Sequence, residues 1–243
     1  VLLKIWEVFP KLFALVLADH RAFKMDGTGH PFDHTLSVGQ IAANITEDDL
    51  VARLGGAAGL CHNADRLLQR ERNASKADSE ALVTARDIPK AETVALIMKW
   101  LAGSGEFTVE EKERIVNAVL LHSGFNVEGC DPVLVALQDA DRCVCSMTSV
   151  IMDTAQFWSA LPTVDPEWLT GDPTAHSYKN PKSVLKNLEC RYDWVDRNSK
   201  VCVRLPKAWE LMERYVAYIR QFVAEVESQR REIGLWPDYP VKS

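Results

Sequence analysis

The fold and the function of this chain are signalled most clearly by the stretch Gly59-Leu60-Cys61-His62-Asn63-Ala64-Asp65-Arg66. An adjacent histidine and amide stand here in an apolar helical pattern, and both side chains can ligate a metal ion. Adjacent residues of a helix project about 100° apart, so His62 and Asn63 can reach one ion only if further ligands come from elsewhere in the chain. The pair therefore predicts a metal site with ligands from several helices.

Apolar residues recur with helical spacing along almost the whole chain, and no segment alternates convincingly in the manner of a β-strand. The pattern predicts one helix that runs through His62 to about Arg70, a long helix from Pro132 to about Phe157, and a final helix from Leu205 to Ile233. Thr108 and Glu111 have the spacing of a capping box, which predicts that a helix begins there and runs through residues 115–121. We therefore expect an all-α fold.

The length and composition are those of a globular protein with a substantial core: 243 residues, of which 47% are hydrophobic and 26% are charged. We expect a single helical domain. Its core should span about residues 18–160, with the C-terminal helices of residues 180–233 packed on it.

Charge and hydropathy exclude several function classes. The net charge is −6 and the basic residues are dispersed, which argues against a surface for duplex nucleic acid. No apolar run approaches the roughly 20 residues that span a bilayer, and no signal peptide is evident. The six cysteines include no CxxC pair, so we interpret them as reduced packing residues. Together these features predict a cytoplasmic protein without a membrane partner. Cys143 and Cys145 could bind metal, but their spacing is unusual for structural zinc.

Two further residues are candidate ligands because their helical faces carry them toward the core. His34 shares one face with Val38 and Ile41, although a single core histidine is more often a packing residue. Asp141 lies on the face of Leu137 and Val144, whereas Asp139 falls on a more polar face that points nearly the opposite way. Burying a carboxylate is costly unless it is paired or binds a cation, so we expect Asp141 to be the inward ligand.

The order of these residues resembles the HD-domain superfamily of metal-dependent phosphohydrolases. The resemblance rests on His34, the pair His62-Asn63 and the segment Asp139-Ala140-Asp141-Arg142, which is similar to the DADR motif of a bacterial branch. It extends over about residues 18–225 and implies an all-α bundle in which a histidine, a His-Asp pair and a distant aspartate bind a divalent metal. This chain has Asn63 where the family has aspartate. An amide carries no negative charge, so the change should weaken metal binding and disfavour a two-metal site.

The resemblance implies a metal site formed by His34, His62, Asn63 and Asp141. Two imidazoles with oxygen ligands suit Mn²⁺, Zn²⁺, Fe²⁺, Co²⁺ or Ni²⁺. The function implied is hydrolysis of a nucleotide or a related small phosphate ester.

Three more residues are candidates for the chemistry itself. Asp65 and Arg66 follow His62 by three and four residues, so on a continuous helix they share its face. Asp65 could accept a proton, and Arg66 could bind a phosphate. His122 could donate a proton to the leaving group or bind phosphate, as the resemblance suggests for a pocket histidine.

Other interpretations stay open. The chain could be a non-catalytic HD-fold protein that binds a nucleotide or a partner, its metal site degenerate through Asn63. It could also be a helical interaction protein whose inward histidines and aspartates form a neutral network. Asp141 could pair with Arg66 or Arg142, and His122 could bond a backbone carbonyl. Association into a homo-oligomer is open as well.

Overall fold

The computed structural model describes residues 2–25, 30–76, 82–165 and 180–236. These residues form eleven α-helices and two short 3₁₀ helices, without any β-strand. The prediction of an all-α fold is confirmed. Within the same ranges, no helix combines the length and the apolar character that crossing a membrane requires. No disulfide joins any two of the six cysteines, all of which lie in these ranges.

The chain forms two compact units. The first comprises residues 1–144 and 204–208, and the second comprises residues 145–203 and 209–243. The main segment of the first unit begins before residue 18 and ends at Val144, whereas the predicted core covers residues 18–160.

The first unit contains eight complete helices and the first residues of α11. They are α1 (Ile5–Val8), α2 (Pro10–Ala22), α3 (Phe32–Ala42), α4 (Asp49–Cys61), α5 (Ala64–Ala74), α6 (Lys90–Ser104), α7 (Val109–Leu121) and α8 (Pro132–Val144), with a 3₁₀ helix at Ala85–Asp87. The second unit contains α9 (Val150–Phe157), α10 (Val184–Glu189), a 3₁₀ helix at Cys190–Val195 and most of α11 (Pro206–Glu232). Its own apolar core is built from Val150, Leu185, Leu188, Ile219 and Val223.

Local sequence signals account for several helix ends. Proline occupies the first position of α2, α8 and α11, where its missing N–H costs no intrahelical hydrogen bond. Asp48 caps α4 by accepting a hydrogen bond from the Val51 N–H at 2.9 Å. Thr108 and Glu111 form the predicted capping box at the start of α7. These ends follow from the sequence alone because each involves neighbouring residues.

Two predicted helices are interrupted, and in both cases the prediction of one continuous helix was wrong. The helix expected to run through His62 to Arg70 breaks between α4 and α5, where Asn63 has non-helical backbone angles of φ −93° and ψ 19°. The helix expected from Pro132 to Phe157 ends at Val144 and restarts at Val150. The intervening residues include Ser146, Thr148 and Ser149, whose hydroxyls compete with the backbone for helical hydrogen bonds.

Helix α4 forms the centre of the first unit. It packs against α3, α7 and α8, and ten of its residues are buried. A helix that is apolar on every side can only be stable inside a core, which explains the near absence of polar residues from it. Its position brings the end of α4, where His62 lies, next to α3 and α8.

Glycines allow α3 and α4 to approach with their backbones in contact. A Cβ atom built on Gly59 would stand 2.5 Å from the Gly39 Cα and 2.6 Å from the Gly39 N, closer than any side chain tolerates. A Cβ on Gly39 would meet the Gly56 carbonyl oxygen at 2.9 Å. The opposing atoms are backbone, so no side chain can move aside to make room.

We expect Gly59→Ala to lower the free energy of unfolding by about 1–3 kcal/mol, because the added methyl must push α3 away from α4. Gly103→Ala is the matched control. It lies in α6, gains the same helix propensity, and its methyl would meet only the Leu15 Cδ1 at 3.2 Å. Urea unfolding of the two variants measures the difference, and equal stability would contradict the backbone contact.

Candidate metal centre

Three ligand atoms from three helices converge in the first unit. The His34 Nε2 lies 3.2 Å from the His62 Nε2 and 3.4 Å from the Asp141 Oδ1, and the His62 Nε2 lies 3.8 Å from the same Oδ1. Atoms that bind one ion at about 2.0–2.2 Å stand roughly 3–3.6 Å from one another. Two of the three distances fall in this range and the third, at 3.8 Å, is slightly longer, so His34, His62 and Asp141 form a cluster of donors close to the spacing of a metal site.

The orientation of His62 prepares its Nε2 for a ligand. The Nδ1 of this residue lies 2.7 Å from the Gly59 carbonyl oxygen, so Nδ1 carries the proton and donates it. In the neutral ring, Nε2 then offers its lone pair to the cluster. Metal-binding histidines commonly donate their other ring N–H to a backbone carbonyl in this way, which fixes the ring and the tautomer.

Electrostatics keep His62 neutral. Burial of the ring lowers its pKa well below the ordinary value of 6.5, and repulsion from His34 and His122 lowers it further, although Asp141 acts in the opposite direction. Only 1% of the His62 side chain is exposed. A metal ion therefore meets a deprotonated imidazole here at neutral pH.

Asp141 supplies the negative charge of the cluster. Burial raises the pKa of this carboxyl, but the hydrogen bond with His34 opposes burial and holds the pKa well below its ordinary range. The side chain is 26% exposed, so the cluster is open to solvent on the side of Asp141.

His122 lies beside the cluster and has the same construction as His62. It ends α7 as His62 ends α4, and its Nδ1 donates to the Val119 carbonyl oxygen at 2.6 Å. The two rings meet edge to face, with their centroids 5.5 Å apart. The backbone bond proposed as an alternative role for His122 is thus present, and it leaves Nε2 available as the second ring atom.

Asn63 is buried next to His62, and its contact is with α3. The Asn63 Nδ2 donates to the Thr35 Oγ1 at 3.1 Å, and the Thr35 Oγ1 lies 3.2 Å from the His20 Nε2. Sequence patterns single out neither Thr35 nor His20 as functional. Thr35 follows the candidate ligand His34 directly, and this adjacency is the one sequence feature that could have indicated a position near the site. The role of Asn63 as a ligand stays a prediction.

Asp65 and Arg66 lie in the first turn of α5, beyond the break in the helix. The argument that they share the face of His62 on a continuous helix was therefore wrong. The Arg66 Nη1 donates to the Gln69 Oε1, one turn further along the same helix, at 3.3 Å. Both side chains are partly exposed, and their catalytic roles stay predictions.

The relative burial of the two aspartates of α8 is the reverse of the prediction. Asp139 is fully buried, and it accepts hydrogen bonds from the Arg204 N–H at 2.7 Å and the Leu205 N–H at 2.8 Å. Its neighbours Gln138 and Arg142 on the more polar face are buried too. Both backbone donors precede α11 and bond the Oδ2 of Asp139, while the Oδ1 has no hydrogen bond to any described residue and lies 3.7 Å from the guanidinium groups of Arg142 and Arg204. Arg142 donates to the Asn126 Oδ1 at 2.8 Å and lies 3.7 Å from Asp139, on the side of Asp139 rather than of the cluster.

Comparisons with known proteins bear on the fold and not on the chemistry. No protein-family model matches the chain, and no curated protein matches it. The crystal structure of a Lactobacillus plantarum protein, solved as a Northeast Structural Genomics target, is similar with a TM-score of 0.61. The two sequences are 14% identical, and the match covers 92% of this chain and 98% of the other. At this identity the likeness shows a shared helical fold alone.

We expect the free energy of unfolding to fall as the pH is lowered from 6.5 to 5, in the absence of metal. The folded pKa of His62 lies below 6.5, so in this range the unfolded chain binds a proton that the folded chain does not. One such group contributes at most about 1.4 kcal/mol per pH unit. The check is urea unfolding across this range for the wild type and His62→Gln. The variant should show the shallower pH dependence, and identical slopes would contradict a neutral, buried His62.

Proposed function

We propose that this chain is a metal-dependent phosphohydrolase that acts on a nucleotide or a related small phosphate ester. The observation that carries the proposal is the convergence of the His34 Nε2, the His62 Nε2 and the Asp141 Oδ1, none of them more than 3.8 Å from another. The resemblance of the same residues to the HD-domain pattern supports the phosphate ester as substrate. The shared helical fold is compatible with that resemblance.

The donor set fits a divalent ion of the later transition series. Two imidazoles, one carboxylate and an amide oxygen from Asn63 suit Zn²⁺, Ni²⁺, Co²⁺, Fe²⁺ or Mn²⁺ better than Mg²⁺, which prefers oxygen ligands throughout. When bound, such an ion polarises a phosphoryl oxygen and lowers the pKa of a water molecule. With a single carboxylate in the set, we expect weaker binding than a site with two would give.

Three residues outside the metal-ligand set have the roles of proton transfer and phosphate binding. Asp65 accepts the proton of the attacking water, and Arg66 binds the phosphate through its planar guanidinium. His122 carries its proton on Nδ1, toward Val119, so its Nε2 binds a phosphate hydroxyl when the ring is neutral. The protonated ring donates to the leaving group from the same atom. The 26% exposure of Asp141 supports access of substrate from that side.

A second candidate function is supported by one observation. Residue 63 is a neutral amide whose nitrogen is engaged with the Thr35 hydroxyl at 3.1 Å, so it adds no charge to the cluster. A site with too little charge to retain its ion can still bind a nucleotide. We therefore keep a non-catalytic nucleotide- or partner-binding protein with a degenerate metal site as the alternative.

Metal binding is the first test of the proposal. We expect the wild type to bind Zn²⁺ or Mn²⁺ in calorimetry at pH 7.5, and His34→Ala and Asp141→Ala to lose more affinity than the 10–100-fold typical of outer-shell partners. Glu113→Gln is the matched control, since it removes one negative charge from an exposed position of α7. Equal affinity in all four proteins would exclude a metal site at this cluster.

Turnover separates the two candidate functions. With p-nitrophenyl phosphate and a panel of nucleotides, we expect metal-dependent hydrolysis that Asp65→Ala and Arg66→Ala lower by roughly 10²–10⁴-fold, while metal affinity and melting temperature stay nearly unchanged. Arg70→Ala, an exposed position of the same helix, serves as the control. Nucleotide binding without hydrolysis would favour the non-catalytic alternative. Full activity in the Asp65 and Arg66 variants would refute their catalytic roles.

A further inference from the structure

A line of buried polar groups lies behind the candidate metal centre. His20, Thr35 and Asn63 are exposed by only 2%, 0% and 4% respectively. The His20 Nδ1 lies 3.0 Å from the Val16 carbonyl oxygen, and the His20 Nε2 lies 3.2 Å from the Thr35 Oγ1. The Asn63 Nδ2 donates to the same hydroxyl oxygen at 3.1 Å. The line therefore runs from the backbone of α2 through α3 to the residue after His62.

The protons along this line have a definite direction. The carbonyl of Val16 can only accept, so the His20 Nδ1 carries a proton. In the neutral ring the His20 Nε2 then accepts the hydroxyl proton of Thr35. With its own proton on His20, the Thr35 oxygen accepts from residue 63, in agreement with the Asn63 Nδ2 donor at 3.1 Å. This order determines which end of the Asn63 amide faces Thr35.

Two contacts join the start of α3 to the residues that follow α4. His34 meets His62 at 3.2 Å, and the next residue on each segment, Thr35, meets Asn63 at 3.1 Å. The first contact is between the ring nitrogens of His34 and His62. In the second, the Asn63 side chain donates from its amide nitrogen to Thr35. An amide nitrogen does not ligate a metal ion unless it is deprotonated, so the oxygen is the atom left for a ligand role.

Burial of the Thr35 hydroxyl removes a polar group from water, which is unfavourable unless its hydrogen bonds are made. Thr35 is fully buried in α3, on a face shared with Val38 and Ala42, where valine has nearly the same shape and no polar atom. A buried hydroxyl is tolerated when its hydrogen bonds are made, and here they are made to His20 and Asn63. The bonds of Thr35 thus serve the orientation of its two partners.

We propose that Thr35 and His20 are positioning residues of the metal centre, which hold the Asn63 amide by its nitrogen so that its oxygen serves as a neutral ligand. This inference rests on the proposed function, because it presumes that a metal ion binds at His34, His62 and Asp141. The proposal gives a reason for an asparagine at position 63. The buried Thr35 oxygen is an acceptor for the amide N–H of that residue.

The test is a double-mutant cycle of Zn²⁺ affinity, measured by calorimetry on the full chain. Thr35→Val, which keeps the shape and removes the hydroxyl, should weaken affinity by roughly 10-fold, as outer-shell partners of metal ligands do. Thr35→Ser should retain affinity close to the wild type. In an Asn63→Ala background, Thr35→Val should have no further effect, because the group that it positions is gone. Thr35→Ala replaces Thr35→Val if the latter does not fold.

A second measurement does not depend on metal. The side-chain N–H resonances of Asn63 should exchange slowly with solvent in the metal-free wild type and in Thr35→Ser, and rapidly in Thr35→Val. Unchanged exchange, or an affinity loss of equal size in both backgrounds of the cycle, would overturn the positioning role. If the wild type binds Zn²⁺ through His34 but Thr35→Val binds it equally well, this inference fails and the proposed function stands. If the wild type binds no metal, both fail.

Discussion

The backbone contact between α3 and α4 is the constraint on which the candidate site depends. Because Gly39 and Gly59 have no Cβ atoms, the two helices approach more closely than side chains would permit. His34 and His62 lie on these two segments, and their Nε2 atoms stand 3.2 Å apart. A wider crossing would separate the imidazoles beyond the reach of one ion. The close packing of α3 against α4 therefore also sets the distance between the two site histidines.

Helix ends supply the orientation of the site histidines. His62 and His122 each end a helix and donate from Nδ1 to the carbonyl oxygen three residues earlier. Those carbonyls belong to the last turn of a helix and lack intrahelical partners, so the imidazoles satisfy groups that would otherwise need another donor. The same bond selects the tautomer that leaves Nε2 for a ligand. Helix termination and preparation of the site are thus achieved by one hydrogen bond in each case.

Charge distinguishes the two aspartates of α8. Asp139 is fully buried, and its Oδ2 accepts from two backbone N–H groups ahead of α11, so it serves the packing of the first unit. Asp141 is partly exposed and lies among imidazoles, so it contributes the negative charge of the cluster. Residue 63, next to His62, is a neutral amide and bonds the Thr35 hydroxyl. Under the proposed function, Asp141 is the carboxylate that faces the bound ion, beside a neutral His62.

The sequence by itself determined the all-α class, the capping box of α7 and the final helix, because these depend on periodicity and on neighbouring residues. Its order of His34, His62 and Asp141 also indicated which residues meet. Only the tertiary structure decided where the helix breaks at His62, which aspartate is buried, and that His20 and Thr35 support Asn63. These features depend on contacts between segments far apart in the chain. Helical periodicity places a residue on a face, but the partner packed against that face decides its burial and its hydrogen bonds.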